Sequence, residues 1–221
     1  MKPISEADIQ AGQAIYSPLT LKLYNAWVLD ISNSFIWRCP KRHQLELFQQ
    51  NIRSHHLDIG VGTGYYLKHC TWPKDTELML MDLNPNCLHE AKKAVAFLNP
   101  KTHQADIFKT QKEFRDQFDS ISMNFLLHCL PGDMPSKGTA IANAVDMLKP
   151  QGVLFGSTIV SDNQLHTPLS RVLAQLYNQK KIFSNRADDT NSLMKVLKQY
   201  LDNVDIRMIG AVALFKGYRP L

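Results

Sequence analysis

The stretch His55–Leu67, HHLDIGVGTGYYL, constrains the fold of this chain more than any other. An apolar strand enters a loop carrying Gly60, Gly62 and Gly64, and a run compatible with a helix follows. Lacking Cβ, these glycines can take positive φ and leave room for a ligand, while amides at the helix start can face an anionic group. Strand, loop and helix in that order are the context that a ligand-binding glycine motif requires.

The rest of the chain keeps the same rhythm. Runs of strand length at His55–Ile59, Glu77–Leu83, Thr102–Ile107, Phe118–Asn124 and Gly152–Ile159 alternate with helical crossovers at Gly64–Cys70, Cys87–Leu98, Lys112–Gln117 and Pro135–Leu148. That alternation predicts an α/β fold with a mostly parallel sheet covered by helices. A helix around Pro168–Tyr177, a loop Asn178–Asp188 and a helix Thr190–Tyr200 then precede strands near Val204–Ile209 and Ala211–Tyr218. Only Gly210 separates these two strands, so a tight hairpin joins them and the last strand runs antiparallel to at least one neighbour. Ahead of the sheet, Leu19, Leu23, Tyr24, Trp27, Val28 and Ile31 read as apolar positions of N-terminal helices.

With 221 residues, 44% hydrophobic and 20% charged, the chain suits one globular domain over 1–221. It divides into an N-terminal helical cap (1–53), a core (54–160), a helical excursion (161–203) and a terminal hairpin (204–221). No run approaches the roughly 18 apolar residues of a membrane span. Glu6 and Asp8 interrupt the start, so a cytoplasmic protein without a membrane partner is expected. Cys39, Cys70, Cys87 and Cys129 lie far apart, and neither a disulfide framework nor a metal site is expected. The net charge of +5 is dispersed, its densest clusters being Arg38, Lys41, Arg42 and Lys180, Lys181, which disfavours nucleic acid as the partner.

Three carboxylates follow the strand ends. Asp58, just before the glycines, can hold an ammonium group or organise the loop; an acidic strand terminus capping that loop is the plainer alternative. Asp82 ends the second strand, where a carboxylate can accept from both hydroxyls of a ribose. Asp106, in QADIF, can accept from an adenine amino group, with Leu83 and Ile107 on either side of the ring. The dinucleotide fingerprint would place a third small residue at position 65, but Tyr65 stands there, which disfavours a nicotinamide oxidoreductase.

Taken together, these motifs and the terminal hairpin make the chain resemble the class I S-adenosylmethionine methyltransferases over roughly 53–155 and the hairpin. The resemblance implies a Rossmann-like fold with a seven-stranded sheet ending in an antiparallel hairpin. It implies S-adenosylmethionine as cofactor and S-adenosylhomocysteine as product, held by Asp58, Gly60, Gly62, Gly64, Asp82, Leu83, Asp106 and Ile107. It also implies that FDSISMNFLLHCL passes beneath the methionine part of the cofactor, with Asn124 and Phe125 facing the reacting centre, and that KPQG is the turn introducing the fifth strand. YSPLTLKLYN, SNSFIWRCP, LLHCLPGD and YNQKKIFSN are similar to a subgroup of small bacterial and fungal methyltransferases, some of them acting in natural-product pathways. That makes a small molecule the expected acceptor.

Methyl transfer from a sulfonium is an in-line displacement in which alignment matters most, and a hydroxyl acceptor benefits from a base. His128 is the candidate base, against the alternative of a histidine packed beneath the cofactor. Tyr16, Tyr24 and Arg38 are expected to touch cofactor. The N-terminal aromatics Trp27, Phe35 and Trp37, and His166, Tyr177, Phe183 and Asn185 after the fifth strand, are expected around the acceptor or at a homodimer surface. Competing readings are a nucleic-acid methyltransferase, disfavoured by the lack of an N-P-P-Y-like tetrapeptide after the fourth strand, and a non-catalytic nucleotide-binding or interaction protein.

Overall fold

Near-continuous burial along the central strands marks a sheet covered on both faces. The computed structural model describes residues 32–221. Among them β1 (His55–Ile59), β2 (Glu77–Asp82), β3 (Lys101–Gln104), β4 (Phe118–Asn124), β5 (Leu148–Ile159), β6 (Asp202–Ile209) and β7 (Val212–Tyr218) form one seven-stranded sheet in the order β3-β2-β1-β4-β5-β7-β6. All pairings up to β5 are parallel, and β7 is antiparallel to both β5 and β6. The chain winds outward from β1 to β3 and returns to add β4 on the other side of β1. This reversal leaves a crevice beyond the carboxyl ends of β1 and β4, where open α/β sheets bind ligands.

The α-helices among the described residues are α1 (Arg42–Asn51), α2 (Tyr65–His69), α3 (Pro85–Ala94), α4 (Met134–Met147), α5 (Pro168–Gln179) and α6 (Thr190–Leu197). Leu78, Leu80, Val153 and Phe155 pack with α1, α2 and α3 on one face, whereas Leu57, Ile59, Met81, Ile121, Met123 and Leu154 pack with α4 and α6 on the other. Side-chain caps start four of the helices: Asn84, Asp133, Thr167 and Asp189 each accept from an amide in the first turn of α3, α4, α5 and α6. Such caps satisfy donors that a helix start otherwise leaves without partners.

Several boundaries differ from those expected. β3 stops at Gln104, so Asp106 sits in the turn after the strand. Between the pairs Phe118↔Leu148 and Ser120↔Val153 the register shifts, and KPQG forms a bulge within a longer β5, with Gln151 at φ 62°. Of the expected helix Lys112–Gln117 only the single turn Lys112–Phe114 forms. The segment is too short to offset helix nucleation, and Phe114 is anchored instead against His103 and Phe118. The hairpin has a two-residue turn, Gly210–Ala211, with Gly210 at φ 56°.

The segment between α5 and α6 is pinned to the loop that follows β4. Ser184 N donates to His128 O at 2.8 Å, and Asn185 Nδ2 donates to Ile159 O at 2.9 Å. Beneath them Lys137 on α4, with its side chain fully buried, donates to Ser184 O at 2.7 Å and pairs with the buried Asp188. Removing one member of such a pair strands the other charge, whereas replacing both with apolar groups can be neutral. Lys137→Met is therefore expected to cost about 3–5 kcal/mol, and Lys137→Met combined with Asp188→Leu to recover most of that loss in urea denaturation. A double variant less stable than the single one would contradict this role for the pair.

Candidate active site

The three glycines of the loop after β1 all have positive φ, 75°, 53° and 69° at Gly60, Gly62 and Gly64, but their surroundings differ. A Cβ on Gly64 would lie 3.0 Å from Ala91 Cα, a backbone atom that cannot give way, whereas one on Gly60 would lie 2.8 Å from Leu126 Cδ1, the tip of a side chain that can turn aside. A Cβ on Gly62 would meet nothing within 4 Å. Gly62 therefore borders open space, and that space is a cleft between the glycine loop, the ends of β2 and β4, and the turn after β3.

Asp58, Gly60, Gly62, Gly64, Asp82, Leu83, Asp106, Ile107, Asn124 and Phe125 all line this one cleft. Burial pushes the Asp58 carboxyl up to about 7, partly opposed by the hydrogen bond that Ser122 Oγ donates to it. Burial likewise pushes Asp82 up to about 6, although it accepts from Asn84 N at 2.8 Å and from the amides of Gly62, Val61 and Leu83. Asp82 thus ties β2 to the glycine loop while its carboxylate borders the cleft. Asp106 Oδ1 accepts from Phe108 N at 2.9 Å, closing a turn that presents Ile107 to the same space. Phe125 adopts φ 52°, an uncommon backbone for a bulky residue, and its amide donates to Ser157 O at 2.7 Å. Strain of this kind persists where surrounding structure imposes it and recurs at functional sites.

A family model described as "Methyltransferase domain" matches residues 57–154, the span that builds this cleft. Over 213 residues, covering 96% of each chain, the protein is 39% identical to the "Physcion biosynthesis cluster O-methyltransferase" of Aspergillus chevalieri. The chain belongs to the class I S-adenosylmethionine-dependent methyltransferases. It is also 29% identical over 208 residues to the "Demethylluteothin O-methyltransferase" of Streptomyces thioluteus, covering 94% of this chain and 90% of that one. Among solved structures, the N-methyltransferase NodS from Bradyrhizobium japonicum in complex with S-adenosylhomocysteine shares the fold, with a TM-score of 0.63 at 19% identity over 92% of this chain and 98% of that one.

The cleft of this methyltransferase fits its family's cofactor on its own chemistry. Carboxylates at the ends of β1 and β2 and in the turn after β3 face it, Leu83 and Ile107 offer apolar surface for a ring, and the buried Asn124 Nδ2 has no hydrogen-bond partner among the described residues. Two expected residues stand elsewhere. Arg38 is not on the cleft wall; its Nη2 donates to Leu165 O at 2.6 Å, because the chain at Trp37 and Arg38 is docked on the β6–β7 turn, where Ala211 N donates to Trp37 O at 2.9 Å. His128 lies behind the wall rather than on it, 4% exposed, with its ring centroid 4.5 Å from that of Phe183 and Nδ1 3.4 Å from the Ile159 amide. Burial, with the nearby Lys137 charge, drives its pKa down to about 3. Tyr16, Tyr24 and Trp27 lie outside the described residues. Trp37 packs with His166 and Phe183 away from the cleft, and Phe35 is exposed.

Phe48 on α1 is a cleft residue that sequence reasoning missed. It is buried and stacks on Tyr66 at 5.8 Å, and its only signal was an apolar position in a helical pattern, which any core residue shares. Cys129, Leu130 and Pro131 complete an apolar wall beyond Phe125.

The glycines should be separable by experiment. Gly64→Ala should lower the melting temperature markedly, because it adds a conflict with the Ala91 backbone to a positive φ, and Gly60→Ala should lower it less, because Leu126 can shift. Gly62→Ala should cost only the roughly 1–2 kcal/mol of the backbone conformation, yet weaken S-adenosylmethionine binding, as read by thermal melts and calorimetric titration. Unaltered binding by a folded Gly62→Ala variant would show that the open space is not the cofactor's.

Proposed function

We propose that this methyltransferase transfers a methyl group to a hydroxyl oxygen of an apolar small molecule, the cofactor lying along the ends of β1, β2 and β4. The convergence of Asp58, Asp82, Asp106 and the open side of Gly62 on one cleft carries the cofactor assignment. Asp58 takes the cofactor's ammonium, since an ionised carboxylate in a desolvated site gains most from a cationic partner. Asp82 accepts from the ribose hydroxyls, and Leu83 and Ile107 cover the adenine faces. Asp106 retains acceptor capacity for the adenine amino group after serving its own turn. Asn124 Nδ2 donates to a polar group at the reacting end.

Bound S-adenosylmethionine supplies an electrophilic methyl on a sulfonium and leaves as S-adenosylhomocysteine. The protein's part is alignment and exclusion of water, for which Phe48, Phe125, Cys129, Leu130 and Pro131 provide an apolar wall. Two full-length relatives named as O-methyltransferases support oxygen as the methylated atom. The four cysteines are free thiols, which supports work in the reducing cytoplasm. A pKa near 3 makes His128 a poor proton acceptor from a hydroxyl, so the base role passes to solvent or to the acceptor's own ionisation.

Purified protein with S-adenosylmethionine and a panel of phenols, alcohols, amines and thiols should yield methyl ethers of phenols, identified by mass spectrometry. Turnover should rise with pH toward the acceptor's own pKa, about 10 for an ordinary phenol, and a folded His128→Gln variant should keep that profile. Methylation confined to amines, or a profile abolished by His128→Gln, would overturn the oxygen assignment or the base-free mechanism respectively.

A further inference from the structure

Behind Asp58 a line of polar side chains crosses the sheet between β1 and β4. The parallel register sets His56 opposite Ser120 and Asp58 opposite Ser122, with all four side chains on the face covered by α1 and α2. His56, Ser120 and Ser122 are fully buried. Arg53 N donates to Ser120 Oγ at 2.9 Å; Ser120 Oγ lies 2.8 Å from His56 Nδ1; His56 Nε2 lies 3.0 Å from Ser122 Oγ; and Ser122 Oγ donates to Asp58 Oδ1. Strands buried on both faces are ordinarily apolar, and a histidine with two serines costs stability there unless every polar atom is satisfied.

The hydrogens in this line have one consistent direction when Asp58 is ionised. A carboxylate has none to give, so the single hydrogen of Ser122 goes to Asp58 and Ser122 can only accept from His56. His56 must then carry its hydrogen on Nε2 and accept on Nδ1 from Ser120, which itself accepts from the Arg53 amide. The ring stays a neutral imidazole: it stacks on Phe155 at 5.8 Å and meets Phe48 and Trp72 edge-on, out of reach of water, and this burial drives its pKa down to about 3.

We propose that His56 and Ser122 are positioning residues of the cofactor site, forming with Ser120 a directional hydrogen-bond relay that keeps the Asp58 carboxylate ionised and aimed at the cofactor's ammonium. The relay acts only through Asp58 and rests on Asp58 being the residue that meets that ammonium. Its task is set by the other groups facing Asp58. Asp82 at the end of β2 raises its pKa by repulsion, Cys70 after α2 is a neutral thiol pushed up to about 12, and burial opposes the charge, so Ser122 stands as the donor that offsets them. Without His56, the Ser122 oxygen loses its donor and the hydroxyl is free to turn from Asp58.

S-adenosylhomocysteine, which carries the same ammonium, is titrated by calorimetry from about pH 6 to about pH 9 into the full chain, Ser122→Ala, His56→Leu, the double variant and Asp58→Asn. Ser122→Ala should weaken affinity about tenfold near neutral pH, with the loss shrinking as pH rises and Asp58 ionises unaided. His56→Leu should act in the same sense, and the double variant should bind no worse than Ser122→Ala, because the two residues work in series. Losses that add, or that do not vary with pH, would overturn the relay. So would normal affinity in both variants while Asp58→Asn binds poorly. An Asp58→Asn protein with unchanged affinity would instead overturn the assignment of Asp58 itself. Imidazole nitrogen NMR of the unsubstituted protein bound to S-adenosylhomocysteine is independent of any variant's folding: His56 should be neutral with hydrogen on Nε2, and hydrogen on Nδ1 would contradict the direction of the relay.

Discussion

Carboxylates forced out of water at the ends of parallel strands are the constraint on which this structure turns. The sheet reverses its winding between β1 and β4, so the carboxyl ends of β1 and β2 open on one side of the crevice and that of β4 on the other. Asp58 and Asp82 stand there with pKa values lifted to about 7 and about 6, chiefly by burial. A site of this kind favours a ligand that brings a cation and hydroxyl donors to the two positions. The glycine loop makes the approach feasible by leaving space above Gly62, while Gly60 and Gly64 let the loop close on Leu126 and Ala91.

Much of the remaining architecture holds this edge in place. Asp82 binds the amides of the glycine loop, and the strained Phe125 is tied to β5 through Ser157. On the far face, the buried Lys137–Asp188 pair fastens the segment between α5 and α6 under the loop containing His128. His128 is thereby enclosed behind the cleft wall, where burial and the Lys137 charge hold its pKa far below the ordinary imidazole value. Preorganisation rather than acid–base chemistry is what such a framework offers to a methyl transfer.

Most of the fold could be read from periodicity because each core strand carries its own pattern. β1 and β4 were legible to the residue, since His55–Ile59 and Phe118–Asn124 are bounded by turn-forming sequence. The ends of β3 and β5 were not: Asp106 leaves the strand because its carboxylate caps the following turn, and KPQG bulges because the partner strand has no residues to match it. Ten of the residues expected at the cofactor line one cleft because the motif residues follow strand ends that the topology brings to one edge. Arg38, His128 and Phe48 depended on tertiary docking, of Trp37 on the hairpin, of Phe183 on the loop after β4 and of α1 on the sheet, and no local pattern encodes those contacts. His56, Ser120 and Ser122 look like unremarkable polar interruptions in sequence; only the β1–β4 register reveals them as one hydrogen-bonded line.

The most direct test of this account is a calorimetric comparison of S-adenosylmethionine, S-adenosylhomocysteine and NAD binding to the purified protein and to Asp82→Ala. Saturable binding of the first two, weakened in the variant and absent for NAD, is the predicted result. Binding of NAD in preference to S-adenosylmethionine, or equal binding by the variant, would contradict the assignment of this cleft.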